Sequence, residues 1–191
     1  MRDVLSQALR RRKKDPLSLK GYSSCAVLIP LFLKRGEYHV LYIQRGSKLR
    51  DHAGQIGFPG GRRESSDRDL RETALRETEE ELGLPREKIE ILGELSEIFT
   101  PTRYCVKPFV GLIPTPLALR LDPGEVEGLI EVPLSHLLKP ESLKIEPLEI
   151  FDRPFEMPYF HFENHVIWGA TGRMTRELVG LLKRQGKKAA L

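Results

Sequence analysis

Apolar and polar positions along this chain follow two periods. After Gly21, SCAVLIPLFL is a continuous apolar run that predicts a buried strand, and an Arg35-Gly36 turn leads it into a second strand, YHVLYIQR. The two are expected to pair. Farther on, IEILGELSEIF alternates as a strand, TPTRY makes a turn and CVKPFVGLI makes another strand. DPGEVEGLIEVPLSHLL predicts a strand running into a short helix, and YFHFENHVIWG a strand pair or one bent strand. Residues 171–184 form a final amphipathic helix, while Val4, Leu5, Ala8 and Leu9 make the apolar stripe of a short helix near the start. Strands and helices interleave without repeats, so the expected fold class is α/β, a mixed β-sheet with helices on both faces.

One stretch breaks both periods. Residues 70–84 read LRETALRETEEELGL, with four carboxylates in five positions at Glu77, Glu79, Glu80 and Glu81. Ser65, Ser66, Asp67 and Asp69 offer N-caps, and Gly83 followed by Pro85 closes the helix. At 100° per residue Glu77, Glu80 and Glu81 share one face, while Glu72 and Glu79 point away. Like charges at these spacings destabilise a helix by roughly 0.2–0.5 kcal/mol per pair. A divalent cation reverses the sign of that effect, and a solvated acidic surface is the alternative.

Composition narrows the classes. A chain of 191 residues suits one well-buried domain, and no apolar run is long enough to span a bilayer. Cys25 and Cys105 sit in predicted strands and no secretory leader is evident, so a reduced, cytoplasmic protein is expected. Residues 1–24 resemble a transit peptide only weakly, because Asp3 and Asp15 interrupt the basic character. The net charge of +4 comes from the ends, since residues 21–172 hold 18 Lys/Arg against 24 Asp/Glu. The run RRRKK at 10–14 lacks interleaved aromatics, so no nucleic-acid partner and no membrane partner is expected. The domain is therefore placed at 21–184, with a basic extension at 1–20 and a basic tail at 185–191.

The loop before the acidic helix, GSKLRDHAGQIGFPGG at 46–61, is polar and glycine-rich. Its Pro59-Gly60-Gly61 turn brings a backbone carbonyl close to the carboxylate face. Hard cations such as Mg²⁺ use such oxygen ligands and keep waters for substrate phosphates. A Gly-rich loop entering an acidic helix, instead of Gly-Lys-Ser/Thr, is not a P-loop. His161 and His165 lie four apart in a predicted strand beside Trp168, which is expected in the core, and with no Cys or further His nearby they make no zinc site.

Gly61, Arg76, Glu77, Glu80, Glu81, Gly83 and Leu84 together resemble the signature of Nudix hydrolases. Asp67 replaces the first Glu of that signature, one extra residue precedes Arg76, and Thr78 stands where an apolar residue is usual. The stretch LYIQRGSKLRDHAGQIGFPGGRRESSD at 41–67 is similar to the added signature of the coenzyme A pyrophosphatase branch through Ser47, Leu49, Arg50, His52, Gly54, Phe58 and Pro-Gly-Gly. Gly46 intrudes after Arg45, and Glu64 replaces the branch's usual Asp. FTPTRYCVKPFVG, GEVEGLIEVPL and HVIWGATGRMTREL continue the likeness, which spans roughly residues 20–180.

The resemblance implies a Nudix α/β/α sandwich and Mg²⁺- or Mn²⁺-dependent hydrolysis of the pyrophosphate of coenzyme A or its derivatives, giving 3',5'-ADP and 4'-phosphopantetheine. It implies metal ligation by Glu77, Glu81, Glu80 and the Gly61 carbonyl, with Glu80, Glu81 and Glu125 as the catalytic set. Arg76 is expected to orient a neighbouring carboxylate and Arg45 to anchor a strand end. Arg50, His52, Phe58, Arg103 and Tyr104 are the expected substrate contacts, with filling the core below Pro59 the favoured alternative for Phe58. Another nucleoside diphosphate derivative, such as ADP-ribose or a dinucleotide, is the alternative substrate, and a non-catalytic nucleotide-binding module the alternative class. A homodimer is compatible with all of these.

Overall fold

A computed structural model of the chain describes residues 2–10, 21–47, 52–150 and 153–189. The apolar run becomes β1 (Ser23–Lys34), which turns at Arg35-Gly36 into β2 (Glu37–Arg45) with Leu31 opposite Val40. Two short strands follow, β3 (Ile56–Gly57) and β4 (Gly60–Arg62), then helix α2 (Leu70–Leu82) after the N-terminal helix α1 (Arg2–Arg10). The stretch expected as one strand divides into β5 (Glu90–Glu94) and β6 (Ile98–Phe99), because the Leu95 N–H reaches the Pro108 carbonyl and the Ser96 N–H reaches Glu177. Then come β7 (Tyr104–Leu112), β8 (Val126–Pro133) and α3 (Leu134–Leu138). The chain ends in β9 (Leu143–Ile150), β10 (Arg153–Phe162), β11 (His165–Ile167) and α4 (Gly169–Ala189).

Among the described residues eight strands, β1 to β8, make one mixed sheet. β1 lies at its centre, parallel to β7 from Ser23 opposite Tyr104 to Leu31 opposite Leu112. Along its other edge β2 takes the second half and β4 the first, with Cys25 opposite Arg62 and Val27 opposite Gly60. A sheet covered on both faces wants an unbroken apolar strand at its centre, which is why β1 does not alternate. Ala26, Leu28 and Phe32 pack beneath α2 with Leu41 and Ile43, while Cys25, Ile29 and Leu31 face the opposite core with Leu178 and Leu182 of α4.

The sandwich expected from the sequence is therefore present. α1 belongs to it, since Leu5 and Leu9 are buried in the α4-side core and Gly93 of β5 leaves room for Leu9. The basic run at 11–14 and the rest of the proposed extension lie outside the described residues. β9, β10 and β11 form a separate antiparallel sheet of three strands, of which β9 had no counterpart in the sequence reading.

Candidate active site

Helix α2 is fixed at both ends. The Asp69 carboxylate accepts the Glu72 N–H at 2.8 Å, and Gly83, at φ +62°, donates to the Glu79 carbonyl at 2.8 Å. Thr78 explains how a polar residue occupies an apolar position: it is fully buried, and its hydroxyl donates to the Ala74 carbonyl one turn back at 2.7 Å. With that rotation, Glu77 and Glu81 face the Gly60-Gly61 turn. The Gly60 N–H donates to a Glu81 oxygen at 3.0 Å. Any Cβ on Gly61 would lie 2.5 Å from the Glu77 carboxyl, so only glycine lets the turn approach this closely.

Glu125 arrives from far along the chain. The segment before β8 is tied to the end of α2 by the Arg120 N–H on the Leu82 carbonyl and the Asp122 N–H on the Glu81 carbonyl, and the Gly46 N–H bonds the Glu125 carbonyl at 2.8 Å. Glu77, Glu81 and Glu125 each bring a carboxylate oxygen within 4.8 Å of the others. Three hard oxygen donors in one recess beside a backbone turn suit a divalent cation.

Electrostatics show the tension of this arrangement. Burial pushes the Glu81 carboxyl up to about 8, although Arg45 and the Gly60 N–H pull it down. Burial raises Glu77 as well, against the opposing pull of Arg76. Arg76 organises the rest: its guanidinium grips Asp67 from two nitrogens at 2.9 and 3.1 Å, Glu77 at 3.0 Å and Glu80 at 2.8 Å. That grip, with the Glu64 N–H and the Thr73 hydroxyl, holds the Asp67 carboxyl well below the usual carboxylate range. Asp67 thus anchors the arginine that steadies Glu77, which gives the substituted signature position a structural task.

A cavity of about 630 Å³ opens beside the Gly60-Gly61 turn. Arg45 and Arg62 line it, together with His52, Phe58 and Tyr104. Arg45 reaches it from the end of β2, and its guanidinium lies 3.6 Å from Glu81. Arg62 stacks over the Tyr104 ring and donates to its hydroxyl. His52 bonds Gln55 through Nδ1 at 2.8 Å.

Several expectations need correction. Glu80 does not join the carboxylate cluster; helical phase places it near Glu77, but Arg76 one turn earlier captures it and its side chain is 57% exposed. Phe58, with the core its favoured place, is 4% exposed, stacks on Tyr42 at 4.7 Å and also lines the cavity. Arg103 occupies a left-handed turn position at φ +61° and does not line the cavity. Arg50 lies outside the described residues. His161 and His165 flank a hairpin turn, on two strands instead of one face. Trp168 is 42% exposed on the cavity wall, not in the core. Arg45, Arg62 and Arg173 are cavity residues that sequence reasoning missed; an arginine directly after the Gly-Gly pair was the available signal for Arg62.

A NUDIX domain profile matches residues 24–155. The chain is 37% identical over 153 residues to the uncharacterized Nudix hydrolase NudL of Photorhabdus laumondii, covering 80% of this chain and 81% of that protein. It is 35% identical over 178 residues to the uncharacterized Nudix hydrolase NudL of Escherichia coli, covering 92% and 91%. Among solved structures, the Nudix hydrolase RenU of M. smegmatis superposes with a TM-score of 0.56 at 15% identity, over 91% of this chain and 89% of that one. The NUDIX domain of Shewanella oneidensis NrtR, solved with ADP ribose, gives 0.50 at 20% identity over 70% and 85%. At these identities the structural likeness speaks for the fold.

Proposed function

This chain belongs to the NUDIX domain family and is a Nudix hydrolase, and on that premise we propose that it cleaves the pyrophosphate bond of coenzyme A or its derivatives at the Glu77, Glu81 and Glu125 cluster. The observation that carries the reading is the convergence of these three carboxylates on the Gly60-Gly61 turn, beside a cavity that also presents Arg45 and Arg62. Anionic ligands for a cation stand next to cationic contacts for a phosphate. A bound Mg²⁺ or Mn²⁺ supplies charge neutralisation on the phosphoryl oxygens and lowers the pKa of an attacking water.

The protein's own groups do the rest. Glu77 and Glu81 would hold the cation, with the Gly61 carbonyl as a further oxygen, and Glu125 would complete the set or receive the water proton. Arg76, anchored on Asp67, keeps Glu77 from swinging into solvent. Arg45 offsets part of the charge of Glu81 and faces the cavity, where it pairs with a phosphate oxygen. His52, on the loop similar to the coenzyme A branch, stands at the same cavity and contacts the leaving part of the substrate.

The fold-related NrtR domain binds ADP ribose, which makes ADP-ribose the natural competitor substrate. The test is chromatography of products after incubating the protein with Mg²⁺ or Mn²⁺ and coenzyme A, ADP-ribose or a dinucleotide in parallel. Preferential release of 3',5'-ADP from coenzyme A is expected. Turnover of the other two alone removes the coenzyme assignment, and absence of turnover on all three favours a nucleotide-binding module.

A further inference from the structure

The cavity has a second wall, built from the three-stranded sheet and the start of α4, that the hydrolytic steps leave without a task. Leu148, Phe155, Met157, Trp168 and Arg173 form it. Trp168 is the only tryptophan of the chain. It sits between β11 and α4, 42% exposed, with Tyr159 stacked nearly parallel to it at 6.1 Å and 9°. An indole backed by a tyrosine and open to a cavity is a platform for a planar ring.

Arg173 stands on the second turn of α4. Its guanidinium lies 5.1 Å over the Phe155 ring and donates to the Phe99 carbonyl at 3.4 Å. Among the described residues no carboxylate pairs with it, unlike Arg45, Arg76 and Arg86. A half-buried guanidinium resting on an aromatic ring, with most of its fork unused, suits a tetrahedral oxyanion. Arg45 lies 3.6 Å from Glu81 and the Arg62 carbonyl accepts from Arg76, so both belong beside the carboxylates, whereas Arg173 comes from α4 and marks a second anion position.

We propose that Trp168 and Arg173 form a specificity site for a nucleoside that carries a phosphate monoester apart from its pyrophosphate, with the base stacked on Trp168 and that monoester paired with Arg173. The inference rests on the hydrolase reading of the same cavity and names the substrate feature it selects. A 3'-phosphorylated adenosine, as in coenzyme A, has the required base and monoester; ADP-ribose has the base alone.

Trp168 is its own reporter, because no other tryptophan contributes to emission. Fluorescence is recorded while adenosine 3',5'-bisphosphate or 5'-AMP is titrated into the full-length protein with divalent cations chelated, so that turnover does not enter. The bisphosphate is expected to change Trp168 emission and to bind about tenfold more tightly, the worth of one charge-assisted pair. In R173M, which keeps an apolar stem over Phe155, the preference is expected to fall to about twofold, and R173K restores part of it. Equal affinity for the two nucleotides in the unmodified protein overturns the proposal, as does a preference that persists in R173M. Hydrolysis in the product assay is a separate readout, so failure of the coenzyme assignment and failure of this site are distinguishable.

Discussion

The two walls of the site are built differently. The carboxylate wall draws Gly60, Gly61, Asp67, Arg76, Glu77 and Glu81 from 22 consecutive positions, fixed by one turn and one capped helix, and adds Glu125 from the segment before β8. The second wall gathers Leu148, Phe155, Met157, Trp168 and Arg173 from the three-stranded sheet and α4. Local spacing sets the first, and sheet docking sets the second. Most of the chemistry that every substrate needs is held by short-range geometry, with Glu125 and Arg45 brought to it by the fold, while selection of one substrate falls to surfaces that only the folded chain assembles.

If that division is right, substitutions on the two walls fail in different ways. The largest effect is expected for E81Q, which removes a charged ligand at unchanged volume: kcat/KM should drop by at least about 10²–10³-fold, as for loss of a preorganised electrostatic group. Circular dichroism should remain native. G61A should come close to it, since the new Cβ would meet the Glu77 carboxyl, whereas G128A, whose Cβ has only ordinary contacts beyond 3.6 Å, should change little.

D67N comes next. It loosens the grip of Arg76, and an outer-shell change of this kind should lower metal affinity or turnover about 10–100-fold. On the other wall W168L should raise KM on the order of tenfold with kcat held, the lower range of base-aromatic stacking. A fall in kcat of the same size would erase the distinction between the walls.

The smallest expected effect is on pH dependence. Glu81 has a folded pKa of about 8, above its ordinary value of 4.5. Its contribution to stability is therefore fully present below about pH 4.5 and is lost as pH rises towards 8. Melting of the metal-free protein should show this decline, and E81Q should abolish that part of it. A divalent cation favours the ionised carboxylate, so Mg²⁺ binding at pH 7 should release a proton, visible as a buffer-dependent heat in calorimetry.

Sequence reading reached furthest where structure is local. The cap at Asp69, the stop at Gly83, and the convergence of Glu77 and Glu81 on the Gly-Gly turn follow from spacing, and the structure has them. Glu80 escaped because helical phase cannot say which neighbour captures a side chain; Arg76 does so at i,i+4. Arg45 escaped because a position at a strand end does not tell that the fold sets its guanidinium 3.6 Å from Glu81 and on the cavity. Trp168 was expected in the core, since its alternating context says nothing about which face of a three-stranded sheet is left uncovered. Arg173 reads as one more basic residue of an amphipathic helix until Phe155 and Phe99 are brought against it.

The most direct test of the central claim is electron paramagnetic resonance of Mn²⁺ titrated into the unmodified protein, E77Q, E81Q, E80Q and E79Q. The account predicts that bound Mn²⁺ is largely lost in E77Q and E81Q, while E79Q and E80Q, whose carboxylates pair with Arg86 and Arg76, retain it. Mn²⁺ bound equally well in all five, or lost in E80Q but kept in E81Q, would contradict the assignment of the cluster.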